Sequence, residues 1–264
     1  MRRGTRVAMV VVALWGLAAL AAPGLEAEAN RIALERILAP PSWHVPMGRD
    51  DLGRPLLARV LVGARLSLGV TLVVVALAAA VGTLIGVLAG WYGGLVDLFV
   101  VRVIDVFLAF PGILLAIALA GILGPGIDNL VIALSVVGWV GFARLARAQT
   151  LSLRTRDHVQ VAQALGTPLP RLLRLHVLPL LSGPLIVEAT FALAAVIVAE
   201  AGLSFLGLGV QPPTPSWGAL IRDGTRYLLI APHLVLMPGL ALLSLVVAIN
   251  LLGDRLRDHL GGRP

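Results

Sequence analysis

The stretch that decides the fold is residues 66–96, which reads LSLGVTLVVVALAAAVGTLIGVLAGWYGGLV. These 31 consecutive residues between Arg65 and Asp97 carry no charged side chain. A helix crosses the hydrocarbon core of a bilayer with about 20 predominantly apolar residues. The run therefore predicts a transmembrane helix with residues left over at its ends.

Five further apolar runs follow the same rule. Charge-free gaps of 19, 22 and 27 residues each hold one span. Of the other two runs, one is shortened by Arg144 and Arg147, whose long side chains can snorkel to the headgroups, and one contains Glu188 and Glu200. The six predicted spans cover residues 7–23, 66–90, 100–122, 129–148, 177–203 and 232–252.

The composition of the whole chain agrees with a membrane protein. Of its 264 residues, 58% are hydrophobic and 13% are charged, whereas a soluble domain has roughly 45–50% and about 25%. All 21 basic residues are Arg, and both Lys and Cys are absent. This excludes a Walker A phosphate loop, a Schiff-base Lys, a catalytic thiol and any disulfide. The five His residues lack metal-binding spacing, and we expect no metal, cofactor or catalytic residue in this chain.

The distribution of Arg predicts the orientation in the membrane. With the N-terminus in the cytoplasm, 13 Arg residues fall on the inside and 8 on the outside. Because basic residues are in excess in cytoplasmic loops, both termini are predicted to be cytoplasmic. The net charge of +7 is then a topology signal, and we expect no nucleic-acid partner.

The first apolar run leaves two alternatives open. It is either the first span or a cleavable signal peptide, because Arg2 and Arg3 precede it and small residues follow it. The predicted organisation is a first helix and outer loop over residues 1–65, a transmembrane core over 66–253 and a cytoplasmic tail over 254–264.

The inner loop, about 149–176, contains the most informative local pattern. Helix formers run from Val159 to Leu165, Gly166 suits a left-handed helix end, and Pro168 prevents continuation. A second helical stretch then leads toward Pro179. With Ala162 and Ala164 predicted on one face, the loop either docks into a groove of a soluble partner or packs on its own bundle.

This loop resembles the EAA loop of binding-protein-dependent ABC importer permeases. Ala162, Ala164 and Gly166 match the pattern, and Gln160 stands where the family has Glu. The other matching stretches point to the C-type subunit of the dipeptide, oligopeptide and nickel class. They are residues 48–54 (GRDDLGR), 63–68 (GARLSL), 90–94 (GWYGG), 102–111 (RVIDVFLAFP), 122–126 (ILGPG), 138–144 (GWVGFAR), 200–209 (EAGLSFLGLG), 211–218 (QPPTPSWG) and 250–258 (NLLGDRLRD).

The resemblance implies an all-α, six-helix transmembrane bundle of the type I ABC importer kind in a bacterial or archaeal inner membrane. It implies as partners a homologous second permease, two ATP-binding subunits that hold ATP and Mg, and an extracytoplasmic solute-binding protein. The loop would couple to the ATPase through Arg156, Gln160, Ala162, Ala164, Leu165, Gly166 and Pro179. Since Gln160 is neutral, docking is expected to be weaker or to rely on Arg154, Arg156 and Arg171.

Two more sets of residues receive roles from the resemblance. Glu200 and Ser204 are expected to line the pore or contact the second permease, and the alternative for Glu200 is a structural hydrogen bond to a neighbouring helix. Glu188 departs from the family and is given no role. Docking of the binding protein, or a scaffold role, is expected of Asp51, Gly53, Arg54, Gln211 and Trp217, with Trp217 as an anchor at the outer face.

The sequence leaves competing functions open. Within the family, the solute is a di- or oligopeptide or, as an alternative, nickel or a nickel chelate. From other classes, an autonomous channel or secondary transporter and a membrane protease that uses Ser204 with His233 are the remaining alternatives.

Overall fold

A computed structural model describes residues 3–260, which form helices and loops with no β-strand beyond two isolated bridges. The all-α prediction is confirmed. The helices are α1 (Arg3–Ala21), α2 (Glu26–Ala29), α3 (Leu56–Tyr92), α4 (Gly94–Leu108), α5 (Gly112–Leu123), α6 (Ile127–Leu153), α7 (Asp157–Ala164), α8 (Leu169–Leu172), α9 (Leu178–Phe205), α10 (Trp217–Thr225) and α11 (His233–Leu260).

Five helical stretches within residues 3–260 are long and apolar enough to cross a membrane. They agree with five of the six predicted spans. Four extend beyond both predicted limits, and the last extends beyond its predicted C-terminal limit only. These stretches are Gly4–Ala29, Leu56–Tyr92, Ile127–Leu153, Leu169–Phe205 and His233–Leu260. The predicted boundary at residue 65 therefore falls inside α3, and the predicted loop at 149–176 is partly taken up by α6 and by the helical stretch that begins at Leu169.

The third predicted span, 100–122, is wrong as a single helix. The chain breaks between α4 and α5, whose axes differ by 86°. Pro111 causes the break, because proline lacks a backbone N–H and the residue before it is pushed out of the helical region. Pro111 itself caps α5 with a φ of −57° and a ψ of 121°. Whether this bent pair crosses the membrane depends on how its neighbours run.

The neighbours α3 and α6 pack closely along a stripe of glycines. A Cβ at any of the three would collide with the backbone of α6, so that only glycine permits this approach. The glycine stripe consists of Gly82, Gly86 and Gly90. Its backbone partners advance from Trp139 to Ala143 to Arg147, so α3 and α6 run parallel. Such spacing of small residues is typical of close helix pairs in membranes.

Parallel α3 and α6 require the connection between them to return across the bundle. Ile127, the first residue of α6, lines the same groove as Val70, and Val70 lies 22 positions before the end of α3, or about 33 Å along a helix. The 12 residues of α5 supply about 18 Å of that rise. The rest falls to α4 and the loops, so the bent pair forms one broken crossing.

One end of the bundle, the α10 end, has the largest aromatic core. The fully buried Trp217 of α10 donates its indole N–H to the carbonyl of Val60 at 2.9 Å and meets Trp15 of α1 edge-on at 5.0 Å. Trp15 in turn donates to Ser244 of α11 at 3.0 Å. These contacts pack α1 against α10 and α11.

The other end, the α7 end, joins the ends of α3, α6 and α9. Its buried side chains form one cluster, which consists of Val87, Ala146, Leu153, Val159, Leu172, Val177 and Leu181. Leu260 at the end of α11 lies here too, next to Gly183. At the α10 end, Ala22 after α1 packs with Ala58 of α3, so α1 starts at the α7 end. The described chain thus begins and ends on the same side.

Candidate coupling loop and translocation path

The predicted coupling loop folds as a short helix with a closed C-terminal turn. Asp157 lies in the first turn of α7, where a carboxylate is stabilised by the helix dipole. At the other end Gly166 has a φ of +77°. The N–H of Gly166 donates to Gln163 and that of Thr167 to Ala162, at 3.0 and 3.1 Å. This pattern is a Schellman motif, and the predicted left-handed turn at Gly166 is confirmed.

One side of α7 is anchored and the other is open. Val159 is fully buried in the cluster at the α7 end, and Ala162 packs beside it. By contrast, Val161 and Leu165 are 57% and 81% exposed, and Gln160 and Ala164 are exposed as well. The loop therefore packs on its own bundle through Val159 and leaves the other face free, and docking of that face into a partner stays a prediction.

Two details of the predicted loop are wrong. Ala162 and Ala164 do not share a face, since residues two apart on a helix point in nearly opposite directions. Arg154 is not free for a partner, because its guanidinium donates to the carbonyls of Gly90 and Trp91 at 3.1 and 3.3 Å and thereby caps the end of α3. Arg156 and Arg171 are exposed. Pro179 is also exposed and lies in the first turn of α9.

Arg147 forms an ion pair with Asp97 of α4, so its charge is not left to the lipid headgroups as predicted. Its guanidinium donates two hydrogen bonds to the Asp97 carboxylate of α4, one through Nε and one through Nη2, the latter at 2.6 Å. Such paired contacts are the strongest geometry available to Arg. This ion pair holds α4 against α6 where the charge-gap count of the sequence placed a snorkelling Arg.

The motif at residues 48–54, in the loop before α3, is a turn centred on a carboxylate. Asp50, buried with 6% exposure, accepts from the backbone N–H groups of Leu52 and Arg54 and from Nε of Arg54 at 2.7 Å. Gly53 has a φ of +71°, and a Cβ there would collide with the carbonyl of Ala33. Gly53 and Arg54 therefore build the turn, and Asp51, with a 34% exposed side chain, is its accessible charge.

The two residues near the start of α10 that were predicted to dock the binding protein differ in exposure. The predicted place of Trp217 at the outer surface is wrong, because its ring is fully buried between α3 and α1. A large aromatic ring with a satisfied indole N–H is a core residue here. Gln211 is exposed and donates to the carbonyls of Gly207 and Gly209 at 3.1 and 3.0 Å.

Glu200 and Ser204 lie inside the bundle. Both are fully buried. Hydroxyls of Ser67 on α3 and of Ser204 donate to the two carboxylate oxygens of Glu200, each at 2.8 Å. The hydrogen bond from Ser67 matches the alternative in which Glu200 bonds to a neighbouring helix. A role of Glu200 and Ser204 in the pore or at the contact with a second permease stays a prediction. Because Ser204 donates to Glu200, it has no hydrogen bond to His233, and the protease arrangement is not formed.

Sequence reasoning missed an open face of α9. Two cavities lie along it, one of about 780 Å³ that is mainly apolar and one of about 510 Å³ toward the α7 end, and Phe191 lines both. Most of the α9 residues that line them have another lining residue three or four positions away. They are Pro184, Val187, Glu188, Phe191, Ala194, Ala195, Val196, Val198, Ala199 and Gly202. Small residues at this helical spacing were the available signal.

Comparison with known proteins gives a consistent assignment. A family model described as "Binding-protein-dependent transport system inner membrane component" matches residues 82–263. The chain is 37% identical to the dipeptide transport system permease protein DppC of Haemophilus influenzae, over 98% of this chain and 90% of the relative. It is 39% identical to DppC of Alkalihalophilus pseudofirmus, over 96% and 84%. It is 40% identical to the glutathione transport system permease protein GsiD of Pectobacterium atrosepticum, over 88% and 77%.

A solved structure agrees on the fold. A chain of the inward-facing MetNI methionine ABC transporter superposes with a TM-score of 0.64 and 20% identity, over 79% of this chain and 99% of that chain. At this identity the likeness shows the fold alone. The family match over residues 82–263 and the apolar helical stretches identify a multi-pass inner-membrane protein. The chain belongs to the family of binding-protein-dependent transport system inner membrane components of ABC importers.

Proposed function

We propose that this chain is a pore-forming subunit of an ATP-driven importer of di- and oligopeptides. The names of the relatives support a peptide solute, since they are dipeptide and glutathione permeases. Nickel is not favoured by these names. The chain itself would hydrolyse nothing, because ATP and Mg would be held by two separate ATP-binding subunits.

The observation that carries the proposal is the free face of α7. A helix of eight residues cannot bury its apolar side chains alone, yet Leu165 remains 81% exposed next to a rigid turn. Exposed apolar residues clustered on a defined element mark a protein interface. An ATP-binding subunit that receives α7 in a cleft would cover Leu165 and Val161.

The open face of α9 supports a pore shared with a second permease. One chain leaves its cavities unclosed on one side, and a homologous subunit facing α9 would close them into a path. In this arrangement the α7 end is cytoplasmic and both termini lie inside, in agreement with the Arg distribution. The solute-binding protein would dock at the α10 end, where Asp51 and Gln211 are accessible.

Copurification and ATPase measurements test the proposal. The chain is expressed with the genes encoded beside it and reconstituted in nanodiscs with the binding protein. We expect ATPase subunits to copurify and a dipeptide-loaded binding protein to stimulate hydrolysis more than a nickel-chelate-loaded one. Leu165→Asp should release the ATPase subunits, because a charge would be desolvated at the interface.

Leu175→Asp is the matched control, since Leu175 is exposed to 57% outside α7. It should keep the ATPase subunits bound. A wild-type chain that copurifies without any ATPase in mild detergent would contradict the proposal and favour an autonomous channel. Stimulation only by a nickel chelate would contradict the peptide assignment alone.

A further inference from the structure

The smaller α9 cavity, of about 510 Å³, is walled by α6, α9 and α11 near the α7 end. Among the side chains that line it are one carboxylate, Glu188 of α9, and one guanidinium, Arg257 of α11. Within residues 3–260, neither side chain has an ion pair, and Glu188 makes no hydrogen bond to the protein. The cavity is therefore lined by two opposite charges that are not paired with other charged side chains of the described chain.

The backbone is shaped around the Glu188 carboxylate. A Cβ at Gly141 of α6 would lie 2.6 Å from Oε1 of Glu188, so the absence of a side chain at Gly141 lets the carboxylate lie against α6. Glu188 is half-buried. A charge at membrane depth is costly and is retained where it faces water or a ligand. Its position in an open cavity meets that condition.

The cavity continues along one side of α9. Phe191 separates it from the apolar cavity of about 780 Å³, whose α9 lining extends to Gly202. The α9 face that lines the two cavities runs from Pro184 to Gly202. This separation of 18 positions is about 27 Å and approaches the thickness of the hydrocarbon core. The residues that line this path are mainly apolar toward the α10 end and include charged side chains toward the α7 end.

We propose that Glu188 and Arg257 form a charge-selective site for peptides at the exit end of the translocation path. The site rests on the proposed function. Glu188 accepts ammonium groups of the peptide, from its N-terminus or a basic side chain, and Arg257 receives carboxylates. The cavity volume is in the range of small-ligand sites. None of the residues that line the apolar cavity is charged, so along these two cavities a charged solute meets opposite charges at Glu188 and Arg257.

Import of two dipeptides of opposite side-chain charge tests the site. Proteoliposomes carry the complete importer, and the probes are radiolabelled Ala-Lys and Ala-Glu at binding-protein saturation, with their affinities for the binding protein measured separately. Glu188→Gln should lower the import rate of Ala-Lys relative to Ala-Glu by about tenfold. Glu188→Asp should keep the wild-type ratio, and Arg257→Gln should shift it the other way.

The controls separate this inference from the proposed function. Asp254→Asn removes an exposed carboxylate of α11 that does not line the cavity, and it should leave the ratio unchanged. Unaltered ratios in both Glu188→Gln and Arg257→Gln, with wild-type import intact, would overturn the site and leave the importer in place. Absence of import of either dipeptide by the wild-type complex would overturn the proposed function instead. A purely structural role would slow both dipeptides equally and would also overturn the site.

Discussion

At the scale of single residues, side-chain size at Gly86 sets how closely two helices approach. A Cβ at Gly86 would collide with the carbonyl of Ala143 and lie 2.9 Å from the Cβ of Ala146. The clash is with backbone, which has no rotamer by which to move away. On the same helix a Cβ at Gly69 would meet nothing within 4 Å. Two glycines of one helix therefore have opposite tolerance for substitution.

Gly86→Ala is expected to destabilise the protein by about 1–3 kcal/mol through overpacking, or more if α3 and α6 separate. Gly69→Ala should be neutral or stabilising by up to about 1 kcal/mol, because alanine loses less backbone entropy in a helix. Thermal unfolding of the purified chain in detergent measures both. Equal melting temperatures for the two variants would contradict the close approach of α3 and α6.

Residue chemistry was partly predictable from the sequence. The left-handed turn at Gly166 follows from local rules, because a glycine before Pro168 carries its own conformational signal. The partner of Glu200 does not, since Ser67 is 133 residues away in the chain. The prediction that Trp217 lies at the membrane surface failed for the same reason. Prolines and a tryptophan near the end of a span indicate an interface, but the burial of the ring depends on contacts with residues distant in the chain, such as Val60.

At the scale of elements, the turn after α7 could pass a movement of α7 on to α9 only if the backbone geometry of the turn is fixed. The two backbone hydrogen bonds of the Schellman motif fix the direction in which the chain leaves α7 toward Leu169. That direction requires the φ of +77° at Gly166. Under the proposed function, a movement imposed on the free face of α7 would pass through this turn into the continuous helical stretch Leu169–Phe205.

Gly166→Pro should uncouple transport from ATP hydrolysis. Proline holds φ near −65° and lacks an N–H, so both the turn and the hydrogen bond to Gln163 are lost. Gly166→Asn is the matched control, because asparagine tolerates the left-handed region. In the assembled complex we expect solute-stimulated ATPase to fall at least about tenfold in Gly166→Pro and to stay within about twofold of wild type in Gly166→Asn. Unchanged stimulation in Gly166→Pro would contradict the role of the turn.

Elements were easier to predict than their shapes. Charge-free gaps located four of the six predicted spans, because charged residues are costly inside the bilayer. The other two spans needed allowances for snorkelling Arg side chains and for Glu188 and Glu200 within the apolar run. The break at Pro111 was visible in the sequence, but counting apolar residues does not register backbone geometry. The parallel packing of α3 and α6 needed the coordinates, although glycine spacing at 82, 86 and 90 is the signal from which it could have been suspected.

At the scale of the whole molecule, the number of crossings decides the side on which the chain ends. Five straight stretches alone would place the two ends on opposite sides. The broken pair α4 and α5 adds a sixth crossing, because α3 and α6 run parallel and the chain must return between them. The Arg distribution then predicts that the α7 end is cytoplasmic.

Reporter fusions test this topology. Green fluorescent protein fused after Pro264 should fluoresce, because it folds in the cytoplasm, whereas alkaline phosphatase at the same site should be inactive. The reverse result is expected for fusions at the exposed Thr214, in the loop before α10. A fusion at Thr155, in the loop before α7, should behave like the fusion at Pro264, because Thr155 and the last described residue, Leu260, both lie at the α7 end. Two spans, α9 and α11, separate Thr155 from Pro264, so these two fusions do not report whether α4 and α5 cross. A fusion at the exposed Trp43, in the loop before α3, does: it should be dark while Thr155 fluoresces. The same result at Trp43 and Thr155 would mean five crossings with α4 and α5 as a re-entrant loop, whereas fluorescence at Trp43 with none at Thr155 would mean the opposite orientation of the same fold.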